Sequence, residues 1–397
     1  MKIKLGVIFG GDSVEHEVSI ISALQAIEHL DKEKYEVIPI YITKDKEWYT
    51  GSALTNLEIY RDLELAKRYA KKVNLVKKGD RFVLQSTGFF KKEVSEVDLV
   101  FPIVHGTNVE DGILQGYLET IGVPYVGSGV YASAVGQDKV FMKQILEKEG
   151  AIVPKYTWFF DTDFDNKYDE VMDKVKKLKL PLFVKPARLG SSVGITKVND
   201  YKDLEDAVRE ALEYDSKVIV EEGVSNLKEA NISVLGNHEY QELSEIEEVT
   251  TSHDFLTYSD KYLNGGKKGK GISKKGMASS SRNIPAKLDR EIKEEIRRQA
   301  KIVFRALNSE GVCRIDFLID DKEKKVYANE INNIPGSLSF YLWEPAHKPY
   351  HELLDELINM AIKSYKKKQR IVYSFDSNIL ENFNGAKGVK GIKGLKK

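Results

Sequence analysis

Residues 312–332 read VCRIDFLIDDKEKKVYANEIN, and they contain two apolar runs separated by a charged turn. Each run alternates apolar and polar side chains, which is typical of a strand with one packed face. In the first run Arg314 and Asp316 share a face, and in the second run Glu330 and Asn332 do. We therefore predict two neighbouring strands that present four polar side chains on one side of a sheet.

Polar pairs on otherwise apolar strands need a partner. The carboxylates of Asp316 and Glu330, together with the amide oxygen of Asn332, form a set of hard oxygen ligands that suits Mg²⁺ and the phosphates of a substrate. Arg314 adds a fixed positive charge for a phosphate or a developing oxyanion. The alternative is an exposed sheet face with a surface ion pair.

Two loops carry residues that suit anions. Gly336 follows the second strand, where its backbone N–H can approach a reacting carbonyl closely. Lys185 ends an apolar run and is followed by the loop GSSVG at 190–194, whose N–H and hydroxyl groups can surround phosphate oxygens. This loop lacks the P-loop pattern, and taken alone it is equally consistent with a plain turn. GGDS at 10–13 does not complete a dinucleotide-binding motif, which disfavours a Rossmann reductase.

A third candidate site lies at VIVEE, residues 218–222, where an apolar strand ends in two acids. In a nucleotide cleft, the backbone groups of Glu222 and Val224 would meet the adenine edge, and a carboxylate would accept from its amine or from the ribose. The alternative is an ordinary solvated strand end.

Composition narrows the class of protein. The 397 residues are 42% hydrophobic, which favours two or three domains with sizeable cores. Lys plus Arg and Asp plus Glu both number 61, so net charge gives no reason to expect a nucleic acid or membrane partner. Cys313 is the single cysteine, and a buried structural role is expected for it. No signal peptide or membrane span is apparent, and we expect a cytoplasmic protein.

The order of predicted elements indicates an α/β (α+β) protein. Strands at 5–9, 37–42 and 99–104 alternate with helices at 18–30 and 111–121, which predicts a parallel N-terminal sheet. Further elements follow in chain order: helices at 168–178, 201–213, 287–307 and 350–364, and strands at 182–186, 218–222, 312–319 and 325–331. We expect domains at 1–134, 135–231 and 232–365, and a glycine- and lysine-rich loop at 263–281 within the third. Residues 366–397 form a basic tail, for which no packed core is expected.

Ten motifs, in this order, resemble the D-alanine:D-alanine ligase family of the ATP-grasp superfamily, from residue 3 to about residue 362. They are GGDSVEHEVS at 10–19, HG at 105–106 with EDG at 110–112, QG at 115–116, GSG at 127–129, QDK at 137–139, KP at 185–186, GSSVG at 190–194, KY at 261–262, RID at 314–316 and NEIN at 329–332. The resemblance implies a three-domain ATP-grasp fold, with a pre-ATP-grasp N-terminal domain and ATP held between the other two domains.

The resemblance also implies roles for individual residues. It assigns Lys139, Lys185 and Lys261 to the ATP phosphates, Glu221 and Glu229 to the adenosine, Asp316, Glu330 and Asn332 to two Mg²⁺ (or Mn²⁺) ions, and Glu15 and His105 to the first substrate. Ser191 and Tyr262 would join Glu15 in a hydrogen-bonded group that orients the substrate ammonium and helps to deprotonate the attacking amine. Arg314 and the Gly336 N–H would stabilise the oxyanion.

The implied reaction joins two D-alanines through an acyl phosphate and releases ADP and phosphate, for peptidoglycan precursor synthesis. The lysine-rich segment 261–281 would be a mobile lid, and a solvated loop is its alternative. We also expect a homodimer, although the sequence does not fix the oligomeric state.

The chain departs from the family pattern in four places. Val109 replaces a glycine, Leu189 stands where an acid or small residue is common, and the lid at 261–281 is unusually long and basic. Ser337 begins an altered acceptor motif in which Ser339 or Tyr341 would hold the second substrate. A hydroxyl moved by one residue can change polar discrimination strongly. D-Serine, D-lactate or another amino acid is therefore an alternative acceptor, and a nucleotide-binding regulator without turnover is the alternative from another class.

Overall fold

The computed structural model describes residues 2–250 and 281–374. Within these residues, sixteen strands form three sheets on which eleven α-helices pack. The strands are β1 Ile3–Gly10, β2 Tyr35–Ile42, β3 Trp48–Thr50, β4 Lys71–Lys78, β5 Arg81–Ser86, β6 Glu93–Val97, β7 Leu99–Pro102, β8 Tyr156–Phe160, β9 Leu182–Pro186, β10 Thr196–Val198, β11 Lys217–Glu222, β12 Leu227–Gly236, β13 Gln241–Thr250, β14 Ser281–Asn283, β15 Gly311–Asp320 and β16 Lys325–Asn332. The helices are α1 His16–His29, α2 Leu63–Arg68, α3 Ile113–Ile121, α4 Val130–Gln137, α5 Lys139–Lys148, α6 Asp161–Asn166, α7 Tyr168–Val175, α8 Leu204–Leu212, α9 Arg290–Ala306, α10 Phe340–Trp343 and α11 Tyr350–Lys368.

The N-terminal sheet has the strand order β6-β5-β4-β3-β2-β1-β7. β1 pairs in parallel with β2 and β7, as the alternation of strand and helix signals predicts, whereas β3 to β6 are antiparallel and were not predicted. Their sequences explain the omission. β4 reads KKVNLVKK, and only Val73 and Leu75 of it are buried, so the apolar signal is short and is flanked by lysines.

The other two sheets are antiparallel and enclose a cleft. The four-stranded sheet has the order β10-β9-β11-β8, and the five-stranded sheet has the order β14-β13-β12-β15-β16. The four-stranded sheet has a hydrophobic core of its own, formed with α6, α7 and α8. Met142 and Leu146 of α5 pack instead into the core of the five-stranded sheet. Thus α5 belongs structurally to the last sheet, although it comes before the central one in the chain.

Three of the predicted domain limits fall inside regular elements. Residue 134 lies within α4, residue 231 lies within β12, and residue 366 lies within α11, which ends at Lys368. The first part of β12, LKEAN, is polar and only half-buried on the side of the cleft, so the strand signal in the sequence begins only near Ile232. Of the predicted lid, Ser281 alone lies within the described residues. Of the predicted tail, the structure describes residues 366–374.

Helix α11 unites the first and last parts of the chain. Leu353, Leu354 and Leu357 of this helix belong to the same hydrophobic core as Leu5 and Val100 of the N-terminal sheet. Burial of apolar side chains is the main stabilising contribution at such a contact. The N-terminal domain is therefore held over the five-stranded sheet. Among residues 2–250 and 281–374, none of the helices has the length and apolar composition that a bilayer crossing requires.

A buried ion pair fixes the start of α5. The Asp138 carboxylate caps the helix by accepting the N–H groups of Val140 and Phe141 at 3.0 and 3.1 Å. It also accepts from Lys217 Nζ of β11 at 2.9 and 3.0 Å, and both side chains are almost completely buried. Because Lys139 is the next residue, this pair determines where Lys139 enters the cleft.

Replacing Asp138 by asparagine tests the ion pair without removing the helix cap. Asp138→Asn keeps an acceptor oxygen but leaves the Lys217 ammonium buried and unpaired, so we expect the free energy of unfolding to fall by about 3 kcal/mol. Urea unfolding monitored by circular dichroism measures this loss. Glu205→Gln, which breaks the exposed pair with Arg209 on α8, is the control and should cost less than about 0.5 kcal/mol. Equal small losses in the two variants would contradict the assignment.

Candidate active site

Two neighbouring cavities occupy the cleft. The larger lies between the two antiparallel sheets, and the smaller lies between them and the N-terminal domain. All six predicted ATP-binding residues that the structure describes line the larger cavity: Lys139, Lys185, Glu221, Glu222, Val224 and Glu229. The four residues common to both cavities are Lys139, Gly190, Arg314 and Glu330. A group transferred from one cavity to the other would therefore pass these four residues.

The pairing of β15 with β16 creates the predicted polar face. Asp316 lies opposite Glu330, and Arg314 lies opposite Asn332. Arg314 donates two hydrogen bonds to Asp316, at 2.7 and 2.8 Å. Burial lowers the pKa of Arg314, but the charge and hydrogen bonds of Asp316 raise it by more, so the guanidinium stays charged. The alternative of an exposed sheet face is wrong for Arg314, whose side chain is 11% exposed.

The residues predicted to hold metal ions fit that purpose chemically. Asp316 and Glu330 bring two carboxylates together on one sheet face, and Asn332 lies within 3.4 Å of Asp316 through its side-chain nitrogen. Turning this amide would present its oxygen instead, which completes a set of hard oxygen ligands. A cluster of three His, Cys, Asp or Glu side chains suited to a metal does not occur in the described part of the chain. The third ligand here is an amide, so this set differs from such a cluster.

A buried charge cluster forms the wall of the larger cavity. Glu221 of β11 lies 2.7 Å from Lys185 Nζ and 3.2 Å from Lys143 Nζ. Burial raises the pKa of Glu221, but the two lysines lower it by more, so the carboxylate is ionised. Lys143 also donates to the carbonyl of Asn329 on β16 at 3.3 Å. This cluster therefore joins α5, the central sheet and the strand that carries Glu330.

Lys143 was missed by the sequence analysis. Its side chain is completely buried, and burial lowers its pKa. The signal that would have indicated it is a lysine on the apolar side of a helix, four residues after Lys139 and therefore on the same face. A buried lysine of this kind needs an anionic partner, and Glu221 provides it.

The loop at 190–194 meets the N-terminal domain inside the smaller cavity. Ser191 donates a hydrogen bond to Glu15, which follows the first glycine-rich loop. Ser191 and Ser192 have φ of 56° and 59°, so the loop turns through the left-handed region. Lys139 Nζ donates to the carbonyl of Leu189 at 2.6 Å. The structure thus brings Glu15 and Ser191 together as the resemblance implies, whereas Lys261 and Tyr262 lie outside the described residues.

His105, which the resemblance assigns to the first substrate, contacts protein groups through both ring nitrogens. Its Nδ1 lies 2.7 Å from the carbonyl of Ile334 and its Nε2 lies 3.0 Å from Ser22 Oγ, so protein groups engage both ring nitrogens. The side chain is buried and lines neither cavity. Burial lowers its pKa, which favours the neutral ring. Its contacts are therefore with the protein rather than with the space available to a substrate.

Glu110 is a second residue that the sequence analysis left without a role. Its carboxylate accepts the N–H of Gly106 at 3.0 Å and the N–H of Ile334 at 2.8 Å, and it lines the smaller cavity. Burial raises its pKa to about 8. The EDG motif was noted in the sequence, but the contact with Ile334 spans 224 positions and leaves no local signal.

Ser339 and Tyr341, the two candidates for the acceptor site, have different surroundings in the structure. Tyr341 lines the larger cavity, and the Arg282 guanidinium lies 5.3 Å from the centre of its ring. Ser339 is completely buried and lines neither cavity. Gly336, which also lines neither cavity, begins a short turn in which Ser337 and Leu338 have φ of 51° and 50°. Of the two, only Tyr341 faces a cavity in this structure.

Known proteins resemble this chain in both sequence and architecture. The sequence model of the D-ala D-ala ligase N-terminus matches residues 4–128, and that of the D-ala D-ala ligase C-terminus matches residues 145–359. A D-alanine–D-alanine ligase of Thermosipho melanesiensis is 40% identical over 383 residues, which cover 96% of this chain and 98% of the relative.

Solved structures give the same result. The VanG D-Ala:D-Ser ligase from Enterococcus faecalis is 31% identical with a TM-score of 0.75, covering 91% of this chain and 100% of that one. The D-alanine–D-alanine ligase from Bacillus anthracis complexed with ATP is 25% identical with a TM-score of 0.64, covering 92% of this chain and 99% of that one. Three sheets and a cleft lined by lysines and carboxylates define an ATP-dependent ligase with the ATP-grasp fold. The chain belongs to the D-alanine–D-alanine ligase family.

The buried charge cluster leads to a prediction about nucleotide binding. Lys143→Met leaves Glu221 with Lys185 as its one remaining lysine partner in the cluster and removes the bond to the Asn329 carbonyl, so both walls of the larger cavity lose a support. We expect the dissociation constant for ATP to rise on the order of tenfold, which corresponds to about 1.4 kcal/mol. Isothermal titration calorimetry measures it. Lys148→Met, at the exposed end of the same helix, is the control and should bind ATP as the unmodified protein does.

Proposed function

We propose that the protein joins two D-alanine molecules into a dipeptide for peptidoglycan precursor synthesis, through an acyl phosphate and with release of ADP and phosphate. The observation that carries this proposal is the junction of the two cavities at Arg314 and Glu330. A nucleotide in one cavity and an amino acid in the other would have their reacting groups adjacent there. Such placement lowers the barrier by fixing the reactants in orientation.

In this proposal the larger cavity holds ATP. Lys139 and Lys185 neutralise the phosphates, and the backbone of Glu222 and Val224 meets the adenine edge. Glu229 accepts from the ribose. Lys261 and the basic segment 261–281 add positive charge and exclude water once the nucleotide is bound. Glu221 acts on adenosine in the resemblance, whereas its contacts with Lys143 and Lys185 support a role in fixing the phosphate-binding lysine.

Asp316, Glu330 and Asn332 would hold two Mg²⁺ (or Mn²⁺) ions beside the phosphates. The ions supply charge neutralisation on the transferring phosphoryl group. The remaining work falls to the protein's own residues. Arg314 and the Gly336 N–H stabilise the oxyanion that forms when the second amine attacks, an interaction worth roughly 3 to 4 kcal/mol per donor in other enzymes.

Glu15 and Ser191 form the donor side of the amino-acid site. Their mutual hydrogen bond supports a role in orienting the ammonium of the first D-alanine, and with Tyr262 they would help to take the proton from the second amine. We further propose that the enzyme works in the cytoplasm as a homodimer.

D-Serine is a second candidate for the acceptor. The motif after Pro335 departs from the family pattern, and Ser339, one of the two candidate acceptor hydroxyls, lines neither cavity. The similarity to a D-Ala:D-Ser ligase supports this alternative. One missing hydroxyl contact is enough to change polar discrimination by orders of magnitude.

The decisive assay supplies purified protein with ATP, Mg²⁺ and D-alanine and measures phosphate release together with product mass. We expect D-alanyl-D-alanine and one phosphate per dipeptide. Reactions with D-alanine plus D-serine or D-lactate identify the preferred acceptor by product mass. The proposal fails if D-alanine stimulates phosphate release with none of these acceptors.

Glu330→Gln tests the metal-binding role. The substitution keeps size and hydrogen bonding but removes a charge from the ion-binding face, so we expect kcat to fall by about a hundredfold or more while the fold is retained. Phosphate release at saturating Mg²⁺ gives kcat, and circular dichroism verifies the fold. Glu323→Gln in the exposed turn between β15 and β16 is the matched control and should keep full activity. Unchanged turnover in Glu330→Gln would refute the assignment.

A further inference from the structure

The segment between β16 and α10 has a backbone that requires outside support. Ser337, Leu338 and Ser339 have φ of 51°, 50° and 52°, so three successive residues other than glycine occupy the left-handed region. This region is sparsely populated by such residues and persists where the surroundings hold it. Gly336, which the proposed function uses as an oxyanion donor, directly precedes these residues. The position of the Gly336 N–H therefore depends on how firmly this segment is held.

The N-terminal domain holds Ile334, the second residue of this segment, through both its N–H and its carbonyl. Glu110 accepts the N–H of Ile334 at 2.8 Å. His105 Nδ1 lies 2.7 Å from the carbonyl oxygen of the same residue, so the ring donates to it. The other Glu110 oxygen accepts the N–H of Gly106 at 3.0 Å, which ties the two supporting residues together.

Helix α1 supports the segment three residues further on. Ser22 Oγ accepts the N–H of Ser337 at 2.9 Å and lies 3.0 Å from His105 Nε2. Because Nδ1 of the neutral His105 ring donates, Nε2 accepts, and the Ser22 hydroxyl must donate to it. Ser337 Oγ in turn donates to Gln25 Oε1 at 2.6 Å. The hydrogen bonds form one connected network with a defined direction for each proton.

Helix α10, which directly follows the segment, is anchored to the five-stranded sheet. Trp343 is completely buried and donates from Nε1 to Ser233 Oγ of β12 at 3.0 Å. Ser233 donates onward to the Cys313 carbonyl at 2.9 Å, next to Arg314. The backbone of Gly336 is thus held between a support from the N-terminal domain and an anchor on the strands of the active site.

We infer that His105, Glu110 and Ser22 are positioning residues that hold the Ile334–Ser339 backbone so that the Gly336 N–H completes the oxyanion site. The inference rests on the proposed function and deepens it. It assigns His105 to the protein backbone instead of the first substrate. Ser22 and His105 line neither cavity, so any effect of Ser22 on turnover must act through the residues it holds.

Ser22→Ala is the sharpest test, because it removes one buried hydroxyl that no substrate can reach. We expect kcat to fall about tenfold, KM for ATP to stay within about twofold, and more than one phosphate to be released per dipeptide, because a displaced Gly336 slows amine attack and exposes the acyl phosphate to water. Ser19→Ala is the matched control. Ser19 is buried on the same helix and makes two hydrogen bonds, with Gly10 and Ile103, away from the segment.

Hydrogen exchange tests the support of the Ile334–Ser339 backbone independently of turnover. In Ser22→Ala we expect the amides of Ile334 and of residues 336–339 to exchange about tenfold faster, while those of α9 keep their protection and show that the protein is folded. Ser19→Ala should leave 334–339 unchanged. Equal exchange and equal kcat in the two variants would overturn the inference. So would a His105→Gln variant with a raised KM for D-alanine and an unchanged kcat, since this pattern belongs to a substrate contact. If the unmodified protein makes no dipeptide, the proposed function fails. The exchange experiment still decides whether Ser22 supports the backbone of residues 334–339.

Discussion

The antiparallel pairing of β15 with β16 is the constraint on which the rest of the site depends. Its register sets Asp316 opposite Glu330 and Arg314 opposite Asn332. A slip of one residue would turn all four side chains towards the hydrophobic core, where their desolvation would be costly. Ile315, Phe317 and Ile331 pack on the other face and hold the register, because each is buried in the core beneath. The geometry of the cleft therefore depends on apolar contacts in the core beneath it.

Buried charge is the second organising feature. Glu221 lies between two lysines, and Asp138 holds Lys217, so each of these two buried carboxylates has a cationic partner within hydrogen-bonding distance. Pairs of this kind contribute little net stability. Removing one partner is strongly destabilising, so both partners must stay in position. Both clusters join α5 to the central sheet. They set the distance between the lysines that line the larger cavity and the strand that carries the acids.

The sequence allowed the prediction of residues whose role follows from local pattern. The alternation of apolar and polar residues along β15 and β16 predicted that Arg314 and Asp316 share a face. The pairing of these two strands confirms this prediction. Elements with weak or mixed patterns were missed, such as the lysine-flanked β4 and the polar start of β12. Lys143 and Glu110 escaped notice because their partners, Glu221 and Ile334, are distant in the chain. A buried polar side chain is explained by its partner, and sequence periodicity carries no information about that partner.

The central sheet has a hydrophobic core of its own, whereas the N-terminal domain shares its core with α11. Outside the central sheet's own core, Val140 of α5 packs against Ile219 of that sheet and against Ala187, which follows β9, so a swing of this sheet alone would expose an apolar contact to water. It would also break the buried pairs Asp138–Lys217 and Glu221–Lys143, which is costly. Because Ser191 donates to Glu15 across the smaller cavity, that cavity would open whenever the central sheet moved away from the N-terminal domain.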